Sequence, residues 1–393
     1  MHYDIIIIGG GMVGASLACA LKGTHLRIAL IDAAPLSPPA EDPRLIALNY
    51  NSVCLFKNIS IWPELSQHAA AINEVHISHR GHFGRTRLKA HELKLNALGY
   101  VVPATYINAA LTTQLNQQQH IDLFRPATLT QIEQDHTKAR ITIETVHGKK
   151  TLSTSILIAA DGTRSSVRDL LAIPTETIDY HQQAIVTITE LQRPHHQVAY
   201  ERFLATGAIA MLPLSGQRVA TIWTDHEKII AELMELDDLT FLSQLQKQFG
   251  YRLGRLQRIQ QRHVYPLKLI KATQQIQQRT ILIGNAAHTI HPIAAQGLNL
   301  ALYEIAALTD YLTQQPIETL ALPIAFDYFQ QQEKTIGLSH HLSWIFSANI
   351  VGFNTLRQIG ITGLDMSLTA KKYVAQQAMG MGHAMPTLLR LQE

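Results

Sequence analysis

Ile5-Ile6-Ile7-Ile8-Gly9-Gly10-Gly11-Met12-Val13-Gly14-Ala15 joins a β-branched run to a G-x-G-x-x-G turn, and an apolar pattern follows to Leu21. The reading is strand, tight turn, helix. Gly9 permits the turn, Gly11 lets backbone approach a pyrophosphate, and Gly14 lets helix and strand pack closely. The helix start adds unpaired N–H groups and a partial positive charge. A further strand, Leu26 to Ile31, ends at Asp32, 18 residues beyond Gly14, where a carboxylate can accept from a ribose hydroxyl. Alone, such a string also describes a glycine-rich turn with a surface Asp nearby. Strand, helix, strand and terminal acid together specify a dinucleotide, without saying which one.

Two later segments repeat the pattern of an apolar strand ending in Gly and a polar residue. Ser155-Ile156-Leu157-Ile158-Ala159-Ala160-Asp161-Gly162 is followed by a polar turn carrying Arg164 and Arg168. Arg279-Thr280-Ile281-Leu282-Ile283-Gly284-Asn285 leads into Ala286-Ala287-His288-Thr289-Ile290-His291-Pro292. Both place polar groups at a strand's carboxyl end, where open α/β sheets bind ligands.

Other uses of the chain are excluded by composition. With 33 Lys+Arg against 30 Asp+Glu and no long basic run, nothing is built to track a nucleic acid. Only Cys19 and Cys54 are present, which allows neither a disulfide framework nor a cysteine-rich metal site and fits a reducing cytoplasm. Cys54 has no partner for a disulfide reductase. Met1-His2-Tyr3-Asp4 runs straight into the first strand without a signal-peptide pattern, and no stretch reaches the roughly 18 apolar residues of a membrane span. A spanning anchor is excluded; contact with the surface of the inner membrane is not. At 393 residues and 46% hydrophobic, the chain has room for two or three domains.

The three glycine-containing segments, Gly9 to Gly14, Asp161-Gly162 and Gly284 to Gly297, resemble in order and spacing the signatures of the single-component flavin-dependent aromatic hydroxylases. Within that superfamily the chain looks most like the 2-octaprenyl-6-methoxyphenol hydroxylases of ubiquinone biosynthesis. The quoted likeness lies in Val75-His76-Ile77-Ser78-His79-Arg80-Gly81-His82, Tyr200-Glu201-Arg202-Phe203, Ala210-Met211-Leu212-Pro213-Leu214 and Gly250-Tyr251-Arg252-Leu253-Gly254. The resemblance runs from about residue 3 to about residue 365.

It implies FAD as cofactor, held by Gly9, Gly11, Gly14 and Asp32 at the ADP half, with Arg44 beside it and Asp161, Gly162, Gly284, Asn285, Gly297 and Asn299 completing the site. It implies NAD(P)H or another donor as reductant, O2 as co-substrate, and oxygen transfer from a flavin C4a-hydroperoxide to an electron-rich ring. The product expected is the 1,4-benzoquinol of a 2-polyprenyl-6-methoxyphenol. Pro292, Gln296 and Gly297 are the residues expected around flavin and substrate ring, largely through backbone. Three departures from the family pattern stand out: Asn285 where Asp is usual, Ala295 where Gly is common, and Glu304 where Asp is frequent. Asn285 keeps an acceptor and adds two donors, so a ribitol hydroxyl can still be met. Other readings stay open: a different ring position or phenol, or a flavin-bearing subunit without turnover, which Ala295 alone favours. Other ubiquinone-biosynthesis proteins are conceivable partners. His288 and His291 lie three apart, yet no third metal ligand is placed and packing or hydrogen bonding serves equally. Arg80, His82 and Arg202 read either as surface polarity or as part of a substrate domain.

The fold class implied is α/β: a Rossmann-type FAD-binding domain with an inserted β-rich substrate domain and a helical C-terminal region. The boundaries expected are 1–74, 101–179 and 266–325 for FAD binding, 75–100 and 180–265 for substrate, and 326–393 for the helical end. Short β-like runs occur at Ala184 to Thr189, Ala208 to Leu212 and Val219 to Trp223. Helical spacing appears in Leu298, Ala301, Leu302, Ile305, Leu308 and Leu312, and again in Leu338, Leu342, Ile345, Phe346, Phe353 and Leu356. The second stripe is read as internal or subunit packing, with a membrane or prenyl contact as the alternative. Gln114 to Gln119 reads as the exposed end of a helix.

Overall fold

A computed structural model describes residues 1–35, 42–81, 85–290, 296–314, 316–317, 337 and 385–390. The isoleucine run is β1 (His2–Ile8), the turn opens α1 (Met12–Ala20), and β2 (Ile28–Ile31) follows. β1 runs parallel to β2 on one side and to the end of the strand Gly148–Ala159 on the other. Thr280–Leu282 and Ile121–Phe124 extend this parallel set outward. Five strands therefore end on one edge, and the three glycine segments follow three of them.

Both faces of this sheet are covered, which is why β1 is a continuous apolar run and not an alternating one. Ile5 and Ile7 pack with α1, with the helix Ala104–Asn116 and with the helix Gln296–Gln314. Ile6 and Ile8 pack against an antiparallel layer through Leu129, Ile141, Ile143 and Leu152. That layer consists of Ala127–Gln134, Ala139–Thr145 and the first part of Gly148–Ala159.

A second sheet of nine strands is built mostly from Thr175–Leu191, Val198–Phe203, Ala208–Pro213, Arg218–His226 and His263–Ala272, with Glu74–His79 and Arg85–Lys89 at its far side. The outer face is a closed core. Ile185, Ile209, Met211, Val219 and Trp223 pack there on the helices Glu227–Glu235 and Asp238–Phe249 through Ile230, Phe241, Leu245 and Phe249. The inner face carries Ile188, Ala199, Leu212, Ala220 and Ile222, which meet Leu45, Ile72 and Val101 of a small three-stranded sheet. Period two thus separates a sealed side from a side turned toward the first sheet.

Several expectations are corrected. The β-like runs at 184–189, 208–212 and 219–223 are strands, the first and last belonging to the longer Thr175–Leu191 and Arg218–His226, and the helices Glu227–Glu235 and Asp238–Phe249 lie where only β-like runs and polar turns were expected. Gln114 and Gln118 are buried, not exposed, because the end of Ala104–Asn116 tucks against the first core. The strand expected from Leu26 begins at Ile28. The first C-terminal stripe does form the helix Gln296–Gln314, with Ala301, Leu302, Ile305, Leu308 and Leu312 buried. The stripe from Leu338 to Leu356 lies outside the described residues. At the end of the chain, Leu389 is buried against the first core, where the Asn58 side-chain amide donates to the carbonyls of Leu388 and Arg390.

Candidate active site

The first turn is shaped by what its glycines leave out. Gly9 sits at φ +102°, and a Cβ there would lie 2.5 Å from the Ala160 carbonyl oxygen. At Gly14 a Cβ would lie 1.9 Å from the Gly9 oxygen, so helix and turn touch backbone to backbone. Gly11 is different: a Cβ there would meet nothing within 4 Å. It is also the N-cap of α1, and no side chain caps that helix end. The first-turn N–H groups are left for a ligand, and they favour an anion.

Asp32 follows β2 at the same edge. Its Oδ2 accepts from the Gly10 N–H at 2.5 Å and from Arg125 Nη2 at 3.1 Å, and its Oδ1 accepts from the Ala34 N–H at 2.7 Å. A carboxylate offers about four lone-pair sites, so one remains for a ribose hydroxyl. Arg125 was missed by sequence reasoning. Its signal was there: Ile121–Phe124 is an apolar strand that ends directly in a charged residue, as β2 ends in Asp32.

The second segment meets the first where Gly9 presses on Ala160 and Asp161. Asp161 Oδ2 accepts from the Ser166 hydroxyl at 3.0 Å and the Val167 N–H at 3.1 Å, anchoring the start of the helix Ser166–Leu170. Its Oδ1 is buried with no partner among the described residues. Gly162, at φ +83°, has open space where a Cβ would be. Arg168 is buried, donating to the Thr163 carbonyl at 2.7 Å and to the Ala286 carbonyl at 3.1 Å, and so ties the second segment to the third.

In the third segment Gly284 adopts φ +55° and lies under Val13 of α1, 3.1 Å from where a Cβ would stand. Its N–H donates to Glu304 Oε2 at 2.9 Å, while Glu304 Oε1 pairs with His288 Nε2. Both side chains are 1% exposed. His288 is therefore a hydrogen-bonded core residue, and no group of three or more metal-ligating side chains occurs among the described residues. Asn285 is exposed beside this turn. Gln296 and Gly297 are half-buried at the start of the last long helix, and a Cβ at Gly297 would have only Ile290 Cγ1 as neighbour, at 4.0 Å. Pro292, His291 and Ala295 lie outside the described residues.

Two expected site residues are committed elsewhere. Asn299 is buried; its side chain donates to the Ala47 carbonyl and accepts from the Asn49 N–H and the Ser52 hydroxyl, which holds the strand Leu45–Asn49 and the helix Tyr50–Asn58 to the flavin-side helix. Arg44 forks onto Asp42 at 2.8 and 2.6 Å. Against the burial that raises it, this fork holds the Asp42 carboxyl below its ordinary range.

The strands Glu74–His79 and Val198–Phe203 pair in parallel, and residues of both meet on the outer face. The Tyr200 ring lies 5.5 Å from His76 and 5.6 Å from Phe249, and Arg202 donates to the Gln248 carbonyl at 3.0 Å. Burial first, then the charges of Arg252 and Arg87, lower the His76 pKa to about 4. Arg202 forms no ion pair among the described residues, and His82 lies outside them.

The chemistry of these loops suits a flavin dinucleotide. Open glycines at 11 and 162, an uncapped helix start, a carboxylate with spare acceptor capacity and an orphaned buried Asp161 oxygen all stand at one sheet edge. Residues 2–315 match the FAD binding domain family, which is most of the chain. Ubiquinone hydroxylase UbiL of Rhodospirillum rubrum is 29% identical over 410 residues, covering 98% of this chain and 92% of its own length. The 3-demethoxyubiquinol 3-hydroxylase of Escherichia coli is 28% identical over 313 residues, 79% of each chain. Among solved structures, p-nitrophenol 4-monooxygenase PnpA of Pseudomonas putida matches with a TM-score of 0.79 at 14% identity, over 97% of this chain and 99% of that one, which is a likeness of fold. The chain belongs to the FAD binding domain family and is an FAD-dependent oxidoreductase of the monooxygenase type.

Proposed function

We propose that the chain hydroxylates a polyprenylated phenol of ubiquinone biosynthesis, taking 2-polyprenyl-6-methoxyphenol to the 1,4-benzoquinol. The observation that carries this reading is the inner face of the second sheet. There Val186, Ile188, Ala210, Leu212 and Ile222 are only half-buried, whereas Ile185, Ile209, Met211 and Trp223 on the outer face are sealed. An apolar surface left partly open suits a hydrophobic aromatic ligand. The likeness to UbiL over nearly the whole of both chains supports the pathway.

In this reading residues 1–74, 101–179 and 266–325 serve FAD, and 75–100 with 180–265 serve the substrate. Gly9, Gly11, Gly14, Asp32 and Arg125 bind the ADP half; Asp161, Gly162, Gly284, Asn285 and Gly297 line the rest, with Pro292 and Gln296 nearest the ring. When bound and reduced by NAD(P)H or another donor, FAD supplies the two electrons that split O2 between the ring and water. The protein holds the ring in place and excludes water, so that reducing equivalents are not lost as peroxide. No helix among the described residues is long and apolar enough to cross a membrane. A lipid-borne substrate therefore calls for peripheral contact with the inner membrane from the cytoplasm, or delivery by a ubiquinone-biosynthesis partner.

A second ring position is favoured by one fact: the similar Escherichia coli protein is named for hydroxylation at position 3. Purified holoenzyme should be given NAD(P)H, O2 and, separately, a short-chain 2-prenyl-6-methoxyphenol and a demethoxyubiquinol. Product heavier by one oxygen atom from the methoxyphenol, placed para to the phenol by NMR, is the expected result. Product from the demethoxyubiquinol alone would move the assignment to the second position.

A further inference from the structure

Glu201 is an acidic residue on the open, mainly apolar side of the second sheet. In Val198–Phe203, Tyr200 and Arg202 turn outward, where they meet Phe249 and the Gln248 carbonyl. Ala199 turns inward to the contact with Ile72 and Val101, and Glu201 shares its side by strand alternation. Its direct neighbours across the sheet are Ile77 and Ala210; Ile222 and Val186 continue the row. Apart from Glu201 the row is apolar between Thr86 at one end and His263 at the other.

This row stands between two places where the inner face meets the flavin-side elements. On one side Leu212, Ala220 and Ile188 pack on Leu45, the residue that follows Arg44. On the other, Ala184 pairs with Tyr265, which lies close enough to Arg44 for their charges to interact. Farther along the same strand, Leu269 packs with Ile290 of the third glycine segment and with Leu300 of the helix Gln296–Gln314. The row containing Glu201 therefore lies between those contacts.

The carboxyl has no hydrogen-bond or ion-pair partner among the described residues. Burial alone raises its pKa from 4.5 to about 7, and no cation offsets that effect. The titratable groups on the inner-face rows and facing loop include His79, Glu190, His263, Tyr265, Arg44 and Asp42, and the last two are paired with each other. A half-buried carboxylate on a mainly apolar row, with no protein donor among the described residues, is placed to accept a hydrogen bond from a ligand lying against that row.

We propose that Glu201 is a catalytic residue that accepts the phenol O–H of the aromatic substrate. This rests on the hydroxylase reading above. The carboxylate takes the phenol proton as the ring gives an electron pair to one oxygen atom of O2; the O–O bond breaks, the two electrons come from the reductant through FAD, and the second oxygen leaves as water. The ring carbon then loses its C–H proton to solvent, its electron pair restores aromaticity, and the phenol oxygen recovers its proton from the Glu201 carboxylic acid. A base with pKa near the working pH is suited to such a transfer.

The test compares wild-type holoenzyme with Glu201→Gln and Glu201→Ala, using a short-chain 2-prenyl-6-methoxyphenol and its O-methyl ether, which has no proton to give. FAD content and melting temperature report folding. Binding is followed by the change in the oxidised flavin spectrum, and turnover by product formed per reductant consumed. The wild type should prefer the phenol over the ether at least tenfold, with binding and kcat both rising as pH rises through about 7. Glu201→Ala should lose the preference and the pH dependence. Glu201→Gln, which can still accept a hydrogen bond but not a proton, should keep KM within a few-fold while kcat falls at least tenfold and peroxide replaces product. Unchanged preference, kcat and pH profile in either folded variant would overturn the proposal. A wild type that shows the Glu201-dependent preference yet forms no product would contradict the hydroxylase reading and leave the phenol acceptor standing. Failure of the wild type to bind any prenylated phenol would contradict both.

Discussion

The edge of the first sheet and the inner face of the second treat polar groups in opposite ways. At the sheet edge nearly every polar side chain is committed: Asp32 to Gly10 and Arg125, Arg168 to Thr163 and Ala286, Glu304 to Gly284 and His288, Asn299 to three groups around Ala47. On the inner face the side chains are apolar and half-open, and Glu201 stands without a partner among the described residues. The first region is a preformed cradle for an invariant ligand. The second offers a mainly apolar surface with an unpartnered carboxylate, which suits a ligand whose chief property is hydrophobic bulk.

The comparison is broken most severely at the turn. Gly14→Val should cost about 3 kcal/mol or more, since its Cβ alone would overlap the Gly9 carbonyl and backbone must move. We expect no cooperative melting transition from this variant. Gly11→Val is its counterpart: the fold should persist, because that Cβ meets only open space, while FAD is lost from the pyrophosphate position. Wild-type flavin content in purified Gly11→Val would remove the turn from the cofactor site.

Glu304→Gln sharpens the claim that the cradle is held from beneath. The amide can accept from only one of its two present partners, leaving a buried group unsatisfied at about 1–3 kcal/mol. A lower melting temperature together with weaker FAD binding is expected. A lower melting temperature with unchanged FAD affinity would make the Glu304–His288 pair purely structural. The smallest effect belongs to Asn285, which is exposed: Asn285→Asp should bind FAD as the wild type does, and Asn285→Leu should weaken it by about 0.5–1.5 kcal/mol through loss of one hydrogen bond to a ribitol hydroxyl. Equal FAD dissociation constants for Leu and Asn would take residue 285 out of the site.

The cradle was legible in sequence because its causes are local. A β-branched run, a glycine where backbone must touch backbone, and an acid ending the next strand leave fixed spacings, and β1, α1 and Asp32 stand as those spacings imply. Arg125 and Arg168 were not legible, since each acts on a loop brought near only by strand order. The helices Glu227–Glu235 and Asp238–Phe249 were passed over because their apolar residues, spaced for helix, lie among strands whose β-branched residues dominated the reading. Glu201 could be quoted from a shared motif, yet its meaning depends on which face of a strand turns toward the other sheet, and one residue of register decides that.

The most direct measurement of the whole account is the fate of molecular oxygen. Holoenzyme supplied with NAD(P)H, a short-chain 2-prenyl-6-methoxyphenol and oxygen-18 gas should yield a quinol carrying one oxygen-18 atom at the ring carbon para to the phenol, and Gly11→Val should yield none. Product whose new oxygen comes from water, or labelled product from the Gly11→Val variant at the wild-type rate, would contradict a flavin cradle at this sheet edge as the source of the chemistry.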